Sequence, residues 1–406
     1  MTQRTRLGSG LLRGLLGAGA ALSLVSLAAI PAAQAFNGPS VIKIDGGPLG
    51  TLDLSGGADG FAWAQTGTAD GSLDGSHSTG VTFMNGLVEI QKSDGLVQGT
   101  LIMGASNNFV LGGATHGTSV TTFSTGPVYN AYITLAPSPH FNISAGHVGS
   151  LEGYESGIDW NNFNVLTTDM FEVENSQSTG VSATVTFGPV SGTVTFGDGF
   201  DTQVWNYLQM LATYTLNSNN ALTLFGATNL GTTGLGAKFY GSATQPYSSA
   251  MSTVGGEGVA NFVNSSVIGA YYSFTAGNLN IVPEVQYVWA KKTPSVGLTN
   301  FSSNLGAAVF ANYQFGKSPY SLGGWVQYFT SNGPDAWFLN AGSQGYGISI
   351  TPTWQGKYLF LRGDVGLLHL TQVANAAGYA GGAGAYGSDL KGRNVGTFLV
   401  ETGVLF

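Results

Sequence analysis

Val181-Ser182-Ala183-Thr184-Val185-Thr186-Phe187-Gly188-Pro189-Val190-Ser191-Gly192-Thr193-Val194-Thr195-Phe196 is the stretch that decides the fold. Residues two apart in a strand share a face. Val181, Ala183, Val185 and Phe187 therefore project to one side, and Ser182, Thr184 and Thr186 to the other. Gly188-Pro189 turns the chain, after which Val190, Gly192, Val194 and Phe196 alternate with Ser191, Thr193 and Thr195. The stretch predicts a β-hairpin with one apolar and one small-polar face.

The alternation recurs. Ile268, Ala270, Tyr272 and Phe274 oppose Gly269, Tyr271 and Ser273; Ala307, Val309, Ala311, Tyr313 and Phe315 oppose Ala308, Phe310, Asn312 and Gln314. Leu359, Leu361, Val365 and Leu367 oppose Arg362 and Asp364. Parity alone does not separate a soluble sandwich from a barrel in lipid, but the connections do. Tight turns fall at Ser93-Asp94-Gly95, Pro137-Ser138-Pro139, Gly188-Pro189, Asn217–Asn220, Ala276-Gly277-Asn278, Gly316–Pro319 and Gln355-Gly356. Longer Gly/Ser/Thr/Asn-rich links run over about 66–79, 105–126, 149–176, 200–205, 231–262, 293–302, 332–342 and 371–391. Short and long alternate without a break, giving 16 candidate strands, seven short turns and eight longer loops. That sorting predicts an all-β transmembrane antiparallel barrel with short periplasmic turns and longer extracellular loops. The first segment, Thr51–Gln65, is the weakest, being interrupted by Gly56-Gly57.

Composition agrees. Only 8% of residues are charged, against about 25% in an ordinary soluble domain, while mean hydropathy is +0.15. Arg4, Arg6 and Arg13, the apolar stretch Leu15–Ile30, and Ala33-Gln34-Ala35 form the three regions of a secretory signal over residues 1–35. Residues 36–406 are then expected as one outer-membrane barrel domain, and no run in them is long and apolar enough for a membrane helix. Losing the three leader arginines leaves ten basic against 21 acidic residues, a net charge of −11. Such a balance disfavours nucleic acid as a partner, and the absence of cysteine excludes a disulfide scaffold.

Phe187, Tyr214, Phe274, Phe315, Tyr320, Trp354 and Tyr358 cluster beside the short turns and predict an aromatic girdle at one membrane interface. Phe398, Val400, Thr402, Val404 and the terminal Phe406 share one face of a last strand. A final strand ending in Phe406 has the form of the signal read by the outer-membrane barrel assembly machinery.

His147-Val148-Gly149, Gly153-Tyr154-Glu155, Asn162-Phe163-Asn164 and Ser178-Thr179-Gly180-Val181 together resemble the putative beta-barrel porin-2 (OmpL-like) family. The resemblance covers about 35 residues closely and the rest of the mature chain through its strand pattern. Where members of that family tend to carry a Ser and a basic residue after the Asn-Phe-Asn, this chain has Val165-Leu166-Thr167. The resemblance implies a pore in contact with outer-membrane lipid. It carries no solute and no charge preference. Family analogy alone points to a homotrimer.

In sixteen-stranded porins the third loop typically folds into the lumen. Here that loop, about 149–176, holds Glu152, Glu155, Asp159, Asp169, Glu172 and Glu174 with no Lys or Arg. By that analogy six carboxylates would line a constriction and favour cations over anions; a solvated outer loop is the competing reading. Trp160, Phe163 and Phe171 favour packing against the wall. Glu89, Glu284, Arg362, Asp364 and Glu401 fall on the lumen-facing parity, with Arg362, Asp364 and Glu401 placed for an ion-paired cluster or a selectivity patch.

Other chemistry is weak. None of His77, His116, His140, His147 and His369 has a serine two residues away, so no strand-borne nucleophile–base pair is proposed and no enzyme is expected. Asp70-Gly71-Ser72-Leu73-Asp74-Gly75 opens like a calcium loop but has Val81 at the twelfth position, so a turn is the better reading. Gly381-Gly382-Ala383-Gly384 is loop material. No cofactor and no metal is implied. The sequence predicts passive diffusion of small hydrophilic solutes and ions with a cation lean. A solute-specific channel using loop carboxylates or Tyr271 and Phe310, and a closed structural or adhesive barrel, are the alternatives.

Overall fold

The computed structural model describes residues 39–67, 78–112, 127–174, 177–234, 256–333, 342–373, 386 and 392–406. The expected leader (1–35) and the Asp70–Asp74 turn lie outside them. Sixteen strands form one antiparallel sheet: β1 (Thr51–Thr66), β2 (Thr79–Lys92), β3 (Val97–Ala105), β4 (Val128–Ser138), β5 (Phe141–Gly149), β6 (Gln177–Phe187), β7 (Val190–Asp198) and β8 (Trp205–Asn217). The rest are β9 (Asn220–Asn229), β10 (Ser265–Ala276), β11 (Leu279–Ala290), β12 (Ser302–Gln314), β13 (Tyr320–Asn332), β14 (Gln344–Gln355), β15 (Leu359–Gln372) and β16 (Asn394–Leu405). Each strand pairs with its sequence neighbour, and β16 closes on β1, for example at Phe398↔Ala64 and Val404↔Ala58. Gly56 and Phe406 exchange both backbone hydrogen bonds at 2.9 Å, sealing the seam at its lower end. A strand at Ile42–Asp45 pairs with Thr51–Leu54 and extends the sheet beyond Phe406.

The predicted hairpin forms in the predicted register, with Val190↔Phe187 and Thr193↔Thr184 opposite each other. Its apolar face looks outward: Phe187 is 88% exposed and Val185 56%. The polar face looks inward and is joined by hydroxyl pairs, Thr184 with Thr193 at 3.0 Å and Thr195 with Ser182 at 2.9 Å. An outward apolar band of this kind suits a hydrocarbon surrounding. The seven short turns, and the strand ends that flank the eight longer connections, fall within a few residues of where the sequence sorted them.

β1 departs from the common pattern, and the reason is physical. Its large side chains, Phe61 and Trp63, point inward and are buried, while Ala58, Gly60, Ala62 and Ala64 face out. The strand therefore carries no amphipathic signal of the usual sign. The interior is also less watery than the polar parity implies. Phe61, Trp63, Phe225, Tyr271, Phe310, Trp325 and Leu368 form one buried cluster with residues of the third loop.

Two strand positions require glycine. Gly104 and Gly146 have φ of +127° and +138°, and an added Cβ would stand 1.9 Å from Gly86 O and 2.2 Å from Ala131 O respectively. At both, the backbone of the neighbouring strand approaches too closely for any side chain.

Candidate functional site

The third loop leaves β5 at Gly149 and returns to β6 at Gln177, and its described part, 150–174, lies inside the barrel. It carries little regular structure, a 3-10 turn at Asp159–Asn161 and one helical turn, α1, at Asp169–Glu172. Its backbone groups therefore need partners other than their own, and inward side chains of the wall supply them. Leu151 N donates to Gln209 Oε1 on β8 (3.1 Å), and Tyr154 N to Glu284 Oε1 on β11 (2.8 Å). Val165 N and Leu166 N both donate to Asp364 Oδ2 on β15 at 3.0 Å. Trp325 Nε1 on β13 donates to Leu166 O (2.8 Å), Asp169 N to Gln327 Oε1 (2.9 Å), and Gln286 Nε2 to Met170 O (2.8 Å). The loop thus touches wall strands on both sides of the lumen. The start of the second loop joins it: Phe109–Val110 pairs in parallel with Leu166–Thr167, and Ser106 and Asn108 donate to Gly157 O.

The resemblance motif has a structural explanation. The Tyr154 ring packs against Tyr271 and Phe310, with centroids at 5.6 and 5.0 Å. Asn162 closes a small ring with Ser156, accepting from its N–H at 2.7 Å and donating to its carbonyl at 2.8 Å. Asn164 Nδ2 donates to Ser349 and Thr351 on β14. Gly153 has φ of +62°, and a Cβ there would meet the Glu174 carboxylate at 2.2 Å. Trp160, Phe163 and Phe171 are buried.

The six loop carboxylates have distinct surroundings. Glu152 accepts from Tyr207 Oη on β8 at 2.9 Å, and Glu155 accepts from the N–H and hydroxyl of Thr168, bending the loop back on itself. Asp159 pairs with Arg362 and accepts from Asn85. Asp169 is fully buried, with the Asn304 amide beside its carboxyl group. Burial, reinforced by the charge of Glu155 and partly offset by the Asn304 amide, holds its carboxyl well above the ordinary range. Glu174 is buried beside Gly153. Glu172 alone of the six is partly exposed.

Wall residues named from parity face inward. Glu284, Arg362, Asp364 and Glu401 are buried against the loop or one another, and Glu89 is half-buried. Arg362 donates from Nε and Nη2 to Glu401 Oε2 at 2.6 Å, binds Asp159, and donates from Nη1 to the carbonyl of Asn162 at 3.1 Å. Asp364 also accepts from Ser349 Oγ (2.5 Å) and Thr351 Oγ1 (2.7 Å). Among the described residues, Arg362 is the one buried lysine or arginine. The sequence reading overlooked Asp59 and Asn85, which meet Asp159, and the glutamines at 209, 286 and 327. A glutamine or asparagine on the inward parity was the available signal for most of them; Asp59 sits on the inverted strand β1, where parity gave none. His147 Nε2 pairs with Asp201 Oδ1 at 3.0 Å near the loop end of β5.

A closed sixteen-stranded barrel with an apolar outer wall and a loop folded into its lumen defines an outer-membrane porin. The family model described as Putative beta-barrel porin-2, OmpL-like, matches residues 51–406, and the chain belongs to that family. Solved porins share the fold at low sequence identity. An anion-selective porin from Comamonas acidovorans is 11% identical, with a TM-score of 0.54 over 87% of this chain and 99% of that one. The outer-membrane channel DcaP of Acinetobacter baumannii is 12% identical, with a TM-score of 0.53 over 88% and 97%. A trimer form of OmpT from Vibrio cholerae is 10% identical, with a TM-score of 0.54 over 88% and 99%. No curated protein matches the chain in sequence.

Proposed function

We propose that this porin is a water-filled channel for passive diffusion of small hydrophilic solutes, that it favours cations, and that it performs no catalytic step. The observation that carries the cation preference is the charge balance inside the wall. Carboxylates of the third loop and of β1, β2, β11, β15 and β16 face that interior, where Arg362 is the one buried guanidinium among the described residues. A negative interior bounded by low-dielectric walls concentrates cations and repels anions. Within that field Glu172 and Glu89, both partly exposed, are the carboxylates best placed to meet a passing ion, whereas Glu152, Glu155 and Asp159 act mainly by fastening the constricting loop. Residues 1–35 are read as the cleaved leader and 36–406 as the single barrel domain. Phe406 is read as the assembly signal, and a homotrimer as the assembled form, in line with the trimeric neighbour.

The test is reversal potential across a planar bilayer in a potassium chloride gradient. Wild-type protein is expected to show stepwise channels with a cation-directed potential, and the Glu172→Gln, Glu89→Gln double variant a potential moved toward zero. An unchanged potential in the double variant would remove the acidic interior as the filter. The absence of channels would leave a structural barrel.

A further inference from the structure

Asp59 on β1, Asp159 in the third loop and Glu401 on β16 each offer a carboxylate oxygen to one small volume, with these atoms all within 4.8 Å of one another. Their side chains are buried, Asp59 at 4% exposure and the other two at 0%. Arg362 supplies one positive charge to three negative ones, so the cluster carries a formal −2 in the protein interior. Buried charges are paired or coordinate metals, and here the pairing is incomplete.

Asn85 supplies the donors on the Asp59 side of the cluster. Asp59 accepts at Oδ1 from Asn85 N (2.9 Å) and at Oδ2 from Asn85 Nδ2 (3.0 Å), and the same Nδ2 reaches Asp159. Glu401 Oε2 is taken by Arg362, but Glu401 Oε1 is buried on the side of Asp159, and no N–H or hydroxyl donor of the described residues reaches it. A buried acceptor facing two further carboxylates calls for a cation. We infer that Asp59, Asp159 and Glu401 form a site for one calcium-class divalent cation at the barrel seam. Oxygen ligands of such an ion bond at about 2.3–2.6 Å, so opposite ligands stand about 5 Å apart, a span that matches the cluster. One divalent ion brings the formal charge of the cluster to zero. Because Asp59 and Glu401 stand on the first and last strands and Asp159 on the loop, the ion ties barrel closure to the seating of the loop.

The experiment is calcium binding to the folded barrel in detergent, with calcium chloride as the probe. Calorimetric titration of EDTA-treated wild-type protein is expected to give one calcium per chain, and calcium is expected to raise the apparent melting temperature by several degrees over EDTA. Glu401→Gln and Asp59→Asn are each expected to weaken binding at least tenfold, and Asp94→Asn, in an exposed turn, to leave it unchanged. Should a variant fail to fold, terbium luminescence excited through Trp160, the neighbour of Asp159, and quenched by calcium supplies the same answer on wild-type protein. No stoichiometric binding and no shift in wild type would mean that the cluster is neutralised by shared protons and would overturn the site. Undiminished binding in both variants would place the ion elsewhere on the barrel and overturn it equally.

Discussion

Replacing Asp364 by alanine removes the acceptor that fastens the middle of the third loop to β15. In the native barrel Asp364 Oδ2 accepts from the N–H groups of Val165 and Leu166, each at 3.0 Å, and from Thr351 Oγ1 at 2.7 Å. The two hydroxyl groups, Ser349 and Thr351, already accept from Asn164 Nδ2 and can rotate their own O–H toward another acceptor. The two amides are fixed by the backbone and cannot turn. A buried donor left without a partner costs about 1–3 kcal/mol, so two cost about 2–6 kcal/mol against the seated loop. Every 1.4 kcal/mol is tenfold in an equilibrium, so the opened form of the segment should rise by at least about 30-fold. The barrel strands need not unfold, because their ladder bonds do not involve Asp364. Amide hydrogen exchange by mass spectrometry in detergent reads this directly. Peptides covering Val165 and Leu166 should lose protection by at least about 30-fold, while peptides from β11, such as Val282–Val288, should not change. The loop-opened barrel should also show noisier or larger single-channel steps. Exchange within about threefold of wild type in a folded Asp364→Ala barrel would refute the reasoning, since the two amides would then not depend on this carboxylate.

Asp169→Asn should remove a pH dependence of loop seating. The raised Asp169 carboxyl favours the seated loop while it is protonated, fully below the unfolded value of about 3.9, and that contribution is lost as pH rises through the higher folded value; wild-type loop protection should therefore fall from acid toward neutral pH while the variant stays level, and parallel profiles would refute the assignment. Glu284→Gln keeps an acceptor for Tyr154 N and should preserve loop protection, whereas Glu284→Ala should release the Tyr154 end by about 1–3 kcal/mol; equal exchange in the two variants would show that the acceptor is dispensable. Gly146→Ala forces a Cβ to 2.2 Å from Ala131 O at a φ of +138°, so the yield of folded, heat-modifiable barrel should drop sharply, and a normal yield would contradict the close approach of β4 and β5. Deleting Phe406 should reduce the fraction of protein recovered in the outer-membrane fraction, and unimpaired recovery would remove it as the assembly signal.

The walls of this protein were legible in its sequence because a strand announces itself locally. Alternation needs only the residues themselves, and in the hairpin Val181–Phe196 parity assigned every outward and inward side chain as the structure has them. The turn and loop lengths then gave the strand count without any knowledge of pairing. β1 was the weakest reading because Gly56-Gly57 interrupts it, and the structure adds a second departure: Phe61 and Trp63 serve the interior cluster, so its hydrophobic face is turned the other way. What the chain could not disclose is how the third loop is held. Its anchors, Gln209, Glu284, Trp325, Gln327 and Asp364, are each more than 50 residues away in sequence from the loop atom they meet. No local pattern encodes such a pairing.

That hidden part also changes what the acidic residues mean. A loop with almost no regular structure, enclosed in a barrel, exposes backbone N–H groups that water no longer satisfies, and carboxylates are the strongest acceptors available to them. Glu284 for Tyr154, Asp364 for Val165 and Leu166, and Glu155 for Thr168 are all used in this way. A lysine or arginine at any of these places would add another donor where acceptors are needed, so the packing of the loop by itself disfavours basic residues there. The two functions then share one set of charges. In the cation-favouring channel proposed above, the carboxylates that hold the loop are also the source of the negative field, and Glu172 and Glu89, both partly exposed, are the ones assigned to meet a solute.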